Sequence, residues 1–115
     1  MRKVFALMVL CAVGLSFNAN AHVKLLKSNP ENETVLKSAP QKLSLELTQV
    51  AKIMKITLTG DNGINHEISD LPSGMVNKLE ASLPDLTTGS YVIEWRAVSK
   101  DMHPIAGKIT FIIEE

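Results

Sequence analysis

A single cysteine, Cys11, is all the thiol this 115-residue chain has, so no intramolecular disulfide can staple it and no multi-thiolate metal site can form. Aromatic residues are scarce too, with one Trp, one Tyr and three Phe. That excludes the ladder of stacking rings and basic residues with which proteins grip single-stranded nucleic acid. Neither sign of charge dominates, since 12 basic residues stand against 12 acidic ones. Nothing in that balance singles out a polyanionic partner or a cationic amphipathic stretch for a bilayer surface. Ser or Cys nucleophile arrangements and glycine-rich phosphate loops are missing as well. The longest apolar run, Val4 to Leu15, is shorter than the ~20 residues that cross a hydrocarbon core.

That run has a different use. Arg2 and Lys3 precede it, and Ser16-Phe17-Asn18 and then Ala19-Asn20-Ala21 follow. A basic start, an apolar centre and small residues at both ends of an A-x-A triplet make a secretory signal peptide, with cleavage expected after Ala21. Residues 1–21 are therefore read as the leader and 22–115 as one mature domain, exported and not embedded in the membrane. Cys11 follows Leu10 inside the apolar run, where lipid attachment would want a small residue, so it leaves with the leader. The mature chain then has no cysteine and a net charge of −2. Any metal it holds must sit on nitrogen, carboxylate or thioether.

The rest of the chain alternates with a period of two, the mark of half-buried strands. Leu43, Leu45 and Leu47 form one such face; Met54, Ile56 and Leu58 another; Leu79, Ala81 and Leu83 a third. Tyr91, Ile93, Trp95 and Ala97 make a fourth, and Ile109, Phe111 and Ile113 the last. With Val23–Lys27 and Ile64–Ile68 there are about seven short strands. They are separated by turn signals at Asn29-Pro30, Ala39-Pro40, Asp61-Asn62-Gly63, Pro72-Ser73-Gly74 and Thr88-Gly89. The expected fold is all-β, an immunoglobulin-like antiparallel β-sandwich with Greek-key connections. Leu86-Thr87-Thr88-Gly89-Ser90-Tyr91 reads as a tyrosine corner, and Trp95 as the centre of the core. Met54 and Met75 are expected to fill gaps in that core, the usual work of methionine, and His66 to be a solvated surface residue.

Processing after Ala21 would give His22 unusual chemistry. A terminal histidine carries an α-amine and an imidazole Nδ1 that can close a six-membered chelate ring. Their unperturbed pKa values, near 8 and 6.5, let a strong Lewis acid displace both protons at neutral pH. A second imidazole opposite the amine would set three nitrogens in a T, a tetragonal arrangement that suits Cu(II). The candidate is His103, in Trp95-Arg96-Ala97-Val98-Ser99-Lys100-Asp101-Met102-His103-Pro104. Asp101 lies two residues before it, on the same side if the segment is extended. Its carboxylate can then reach an axial position or orient a ligand from behind. Met102 would point away.

Three stretches give the mature chain a resemblance to the copper resistance protein C family, the CopC domain. They are His22-Val23-Lys24-Leu25 with Ser28-Asn29-Pro30, then Thr88-Gly89-Ser90-Tyr91, and Trp95 to Ser99 running into Asp101-Met102-His103-Pro104. The resemblance implies a periplasmic β-sandwich that binds one Cu(II) ion through His22, Asp101 and His103. It implies a monomer serving copper resistance, buffering or delivery to an inner-membrane transporter of the CopD type. Two departures stand out. Where some members use a Glu after the strand matching Leu43–Leu47, this chain has Gln49, and its methionines are too dispersed for a Met-rich Cu(I) loop. Two other functions fit a sandwich: a small copper-dependent oxidoreductase of the histidine-brace type, and a metal-free interaction module. With so few aromatics to hold a polymeric substrate, a binding protein and not an enzyme is expected.

Overall fold

The computed structural model describes residues 23–115. Seven strands make up the structure: β1 (Leu25–Asn29), β2 (Thr34–Leu36), β3 (Lys42–Gly60), β4 (Asn65–Glu67), β5 (Met75–Ser82), β6 (Gly89–Ser99) and β7 (Pro104–Ile113). No helix occurs among the described residues.

The long strand β3 organises the fold. Its first part, from Ser44 to Leu47, pairs antiparallel with β1, and Lys42 to Glu46 pair with β5 on the other edge. Its second part, Ala51 to Gly60, pairs with β6, and Thr57 to Thr59 also carry β4. β6 continues to β7, and β7 to β2. One strand thus runs through both layers of a β-sandwich, and the hydrogen-bonded network is continuous for that reason. The antiparallel sandwich expected from the sequence is present, with one short parallel pairing between β2 and β7.

The alternation buries one residue in two. Leu43, Leu45, Leu47, Ile56, Leu58, Ile93, Ile109, Phe111 and Ile113 are all but sealed from solvent. Trp95 joins them at 2% exposure. Its ring lies against Gly107, its register partner on β7, where an added Cβ would stand 2.5 Å from the indole. Trp95 Nε1 is buried with no hydrogen-bond partner among the described residues, so the ring is placed by packing alone. The tyrosine corner is also in place: Tyr91 donates from its hydroxyl to Thr87 O at 2.7 Å and accepts from Thr87 N at 3.2 Å. Tyr91 stacks on Phe111 with ring centroids 5.4 Å apart.

Three expectations need correction. The faces at Leu43–Leu47 and Met54–Leu58 belong to one strand, and β2 is an element that the alternation did not announce. Met54 and Met75 are not in the core; they are 53% and 41% exposed. The cause at Met54 is a β-bulge. Ile53 pairs with Ala97 and Lys55 with Arg96, so Met54 is the extra residue. Such an insertion shifts the in-and-out phase of the strand by one. Ile53 and Ile56 therefore point inward, while Met54 and Lys55 both face solvent. His66 is exposed on β4, as expected.

Candidate metal centre

Asp101 and His103 sit in the four-residue connection between β6 and β7, just beyond the last register pair, Val98 with Pro104. The connection is closed by its own backbone: Ser99 N donates to His103 O at 2.9 Å, and Met102 N donates to Ser99 O at 2.9 Å. Met102 takes a positive φ of 72°, the left-handed conformation that reverses a chain tightly but is uncommon outside glycine. The segment is therefore a turn and not the extended stretch from which its spacing was argued. The two side chains still converge. His103 Nδ1 lies 3.2 Å from Asp101 Oδ2.

Ser99 holds this geometry, and sequence reasoning overlooked it. It is the one buried polar side chain among the described residues, at 7% exposure. Its hydroxyl donates to Asp101 Oδ1 and accepts from His103 N at 3.1 Å. A serine ending an alternating strand has no distinctive signature; the only hint was the Ser-x-Asp-x-His spacing. The Ser99 hydroxyl, followed by His103, holds the Asp101 carboxyl below the usual carboxylate range. The carboxylate is thus kept as an anion against the imidazole.

The donor set suits a borderline metal. With a carboxylate on Nδ1, the free acceptor of a neutral His103 is Nε2, the arrangement in which a second-sphere carboxylate orients a metal-bound histidine. Both side chains are open to solvent, at 76% for His103 and 65% for Asp101. Among the described residues no three His, Cys, Asp or Glu side chains come together, so a metal held at this turn would need a further ligand from elsewhere. His22 and residues 1–21, read from the sequence as a leader, lie outside the described residues. What is described is the chain just after His22: Lys24 N donates to Thr48 Oγ1 at 2.9 Å and Thr48 N to Lys24 O at 2.9 Å. Thr48 and Gln49 stand where β3 passes between layers, and Ala51, two residues beyond Gln49, is the register partner of Ser99.

The profile of the CopC domain matches residues 25–114. The chain belongs to the CopC domain family. It is 32% identical over 114 residues to the copper resistance protein C of Escherichia coli, covering 89% of each chain. The crystal structure of CopC from Methylosinus trichosporium OB3b superimposes with a TM-score of 0.65, covering 81% of this chain and 94% of that one. At 23% identity that likeness speaks for the fold alone. The copper transport protein CutJ of Bacillus subtilis is 29% identical over 115 residues, a match that takes in 93% of this chain but 21% of that protein. Among the described residues, no helix of this CopC-family chain is long and apolar enough to cross a membrane.

Proposed function

We propose that the mature chain begins at His22 and captures one Cu(II) ion in the periplasm, on the His22 amine and imidazole and the His103 imidazole, with Asp101 behind His103. The observation that carries this reading is the Asp101–His103 contact at 3.2 Å on an exposed turn. With Nδ1 facing the carboxylate, Nε2 is the nitrogen left for a metal. Lys24 is tied to Thr48 on the strand whose Ala51 neighbours Ser99, so the chain enters the domain at the same end as this turn. A terminal amine and two imidazoles match the preference of Cu(II) for nitrogen in a tetragonal plane. The family and the names of its copper-related members support the metal.

The role is that of a carrier. Copper is cargo here, held at the surface where another protein can reach it, and the processed protein is monomeric. The single Trp and single Tyr are committed to the core and the corner, which leaves no aromatic platform among the described residues for the substrate of a histidine-brace oxidoreductase. The CutJ match, in which a similar domain makes up about a fifth of a copper transport protein, supports delivery to an inner-membrane transporter of the CopD type.

Competitive Cu(II) titration with electron paramagnetic resonance tests the site. Adding one residue before His22 turns the amine into an amide and should cause the greatest loss of affinity. His103→Ala should leave a looser complex on the terminus alone. Asp101→Ala should cost about 10–100-fold, the usual penalty for losing an orienting carboxylate. Unchanged affinity and an unchanged three-nitrogen spectrum in the extended protein would overturn the proposal.

A further inference from the structure

The outer face of the β3–β6–β7 sheet, next to the Asp101–His103 turn, carries cations that lack counterions. Elsewhere on the sheets each basic residue has a carboxylate as its register partner or within ion-pair distance. Lys27 and Lys78 are both register partners of Glu46, Lys42 lies 3.8 Å from Glu80, and Lys108 lies 3.9 Å from its register partner Glu94. Near the turn the pattern changes. Lys52 has Met75 on one side and Val98 on the other, and Val98 is followed by Pro104. In the next row Lys55 pairs with Arg96, and Arg96 with Ala106. Like charges directly opposite one another destabilise a sheet, and among the described residues no carboxylate lies within ion-pair distance of Lys52, Lys55 or Arg96.

Apolar side chains share this face. The bulge that breaks the period of β3 sets Met54 outward beside Lys55, Met75 stands across from Lys52, and Met102 on the turn is 76% exposed. Met54, Arg96, Val98 and Pro104 line one shallow groove. Methionine gives a soft surface that repacks against different partners. Trp and Tyr, which favour the membrane interface, are absent from these two rows.

We propose that this face docks an acidic surface, interspersed with flexible apolar side chains, of the protein that receives the copper. The three cations steer and hold its carboxylates, and Met54 and Met75 pack at the centre of the contact. Val98 and Pro104 are the last pair before the turn, so the docked surface lies beside His103. The inference rests on the carrier reading for its purpose, but the docking itself requires no bound metal.

The test uses the full processed protein without metal, labelled with nitrogen-15. It is titrated with a short peptide of alternating aspartate and methionine, with the asparagine–methionine analogue, and with vesicles containing phosphatidylglycerol. Amide shifts confined to residues 52–55, 75, 96–98, 105 and 106 are expected with the acidic peptide alone, and the binding should weaken as salt screens the charges. The triple variant Lys52→Glu, Lys55→Glu, Arg96→Glu should lose at least about tenfold in affinity, as expected when complementary charges become repulsive. Lys37→Glu, an exposed charge change elsewhere, should lose less than about twofold. Met54→Ser with Met75→Ser, which keeps every charge, should also weaken binding. Equal binding by the uncharged peptide, insensitivity to the triple variant, or shifts outside this face would each overturn the proposal. Vesicle binding through the same residues would reassign the face to lipid, and dimers lost in the triple variant would reassign it to a second copy of the chain. Cu(II) affinity, measured in parallel, should not change in the triple variant. Failure of copper binding with docking intact sinks the carrier reading, and the reverse result sinks only the docking face.

Discussion

The two ends of β6 use the same device to opposite effect. At one end Tyr91 fixes the preceding loop by bonding to the backbone of Thr87, four residues away. At the other end Ser99 fixes the following turn by bonding to the backbone of His103, also four residues away. The Tyr91 end is closed: its ring stacks on Phe111 and packs against the core. The Ser99 end is open. Its hydroxyl is buried, but the Asp101 and His103 side chains that it positions stand in solvent. A hydroxyl that finishes a fold and one that prepares a binding group differ in what they leave exposed, not in how they bond.

The comparison can be broken most forcefully from between the two ends. Trp95→Ala removes the ring packed on Gly107 and should destabilise the domain by about 3–5 kcal/mol, as read by denaturant unfolding. A folded Trp95→Ala protein of near-native stability would show that the ring does not support the core. Tyr91→Phe keeps the stacking but removes both corner hydrogen bonds, and should cost about 1–2 kcal/mol. The same melt in Ser99→Ala should show about 1 kcal/mol. Equal losses in both would make the two ends alike in stability and leave function as their only difference.

The smallest effect is a titration. Asp101 is held below the ordinary carboxylate value, near 3.9, first by Ser99 and then by His103. A lowered folded-state value favours the folded protein above the ordinary range and loses that contribution as the pH falls through the lowered value. Carboxyl-carbon NMR of Ser99→Ala should show Asp101 titrating at higher pH than in the parent. An unmoved midpoint would remove Ser99 as the cause.

Much of this was legible in the chain, for physical reasons. Tyr91, Ile93, Trp95 and Ala97 alternate without interruption, and the corner residues lie within six positions, so strand, core and corner could be read from local pattern. The bulge at Met54 could not. Ile53, Met54 and Ile56 are all apolar, and an inserted residue changes which of them points inward without changing the composition. β2 was missed because three residues are too few to show a period, and its parallel pairing with β7 spans most of the chain. Asp101 and His103 were found by spacing, although the turn that joins them was expected to be extended. The left-handed Met102 and the buried Ser99 bring them together, and neither has a signature short of the fold itself. The place of His22 stays with the proposal, since it lies outside the described residues.

The passage of β3 through both layers sets an order on synthesis. β1 precedes it, but the partner of Ala51 to Gly60 on one edge is β6, which begins only at Gly89. Until that residue is made, the second half of β3 offers an open strand edge with Ile53, Ile56 and Leu58 beside it, the kind of edge that recruits other chains. A message truncated before residue 89 should therefore yield an aggregating product and not a smaller folded one.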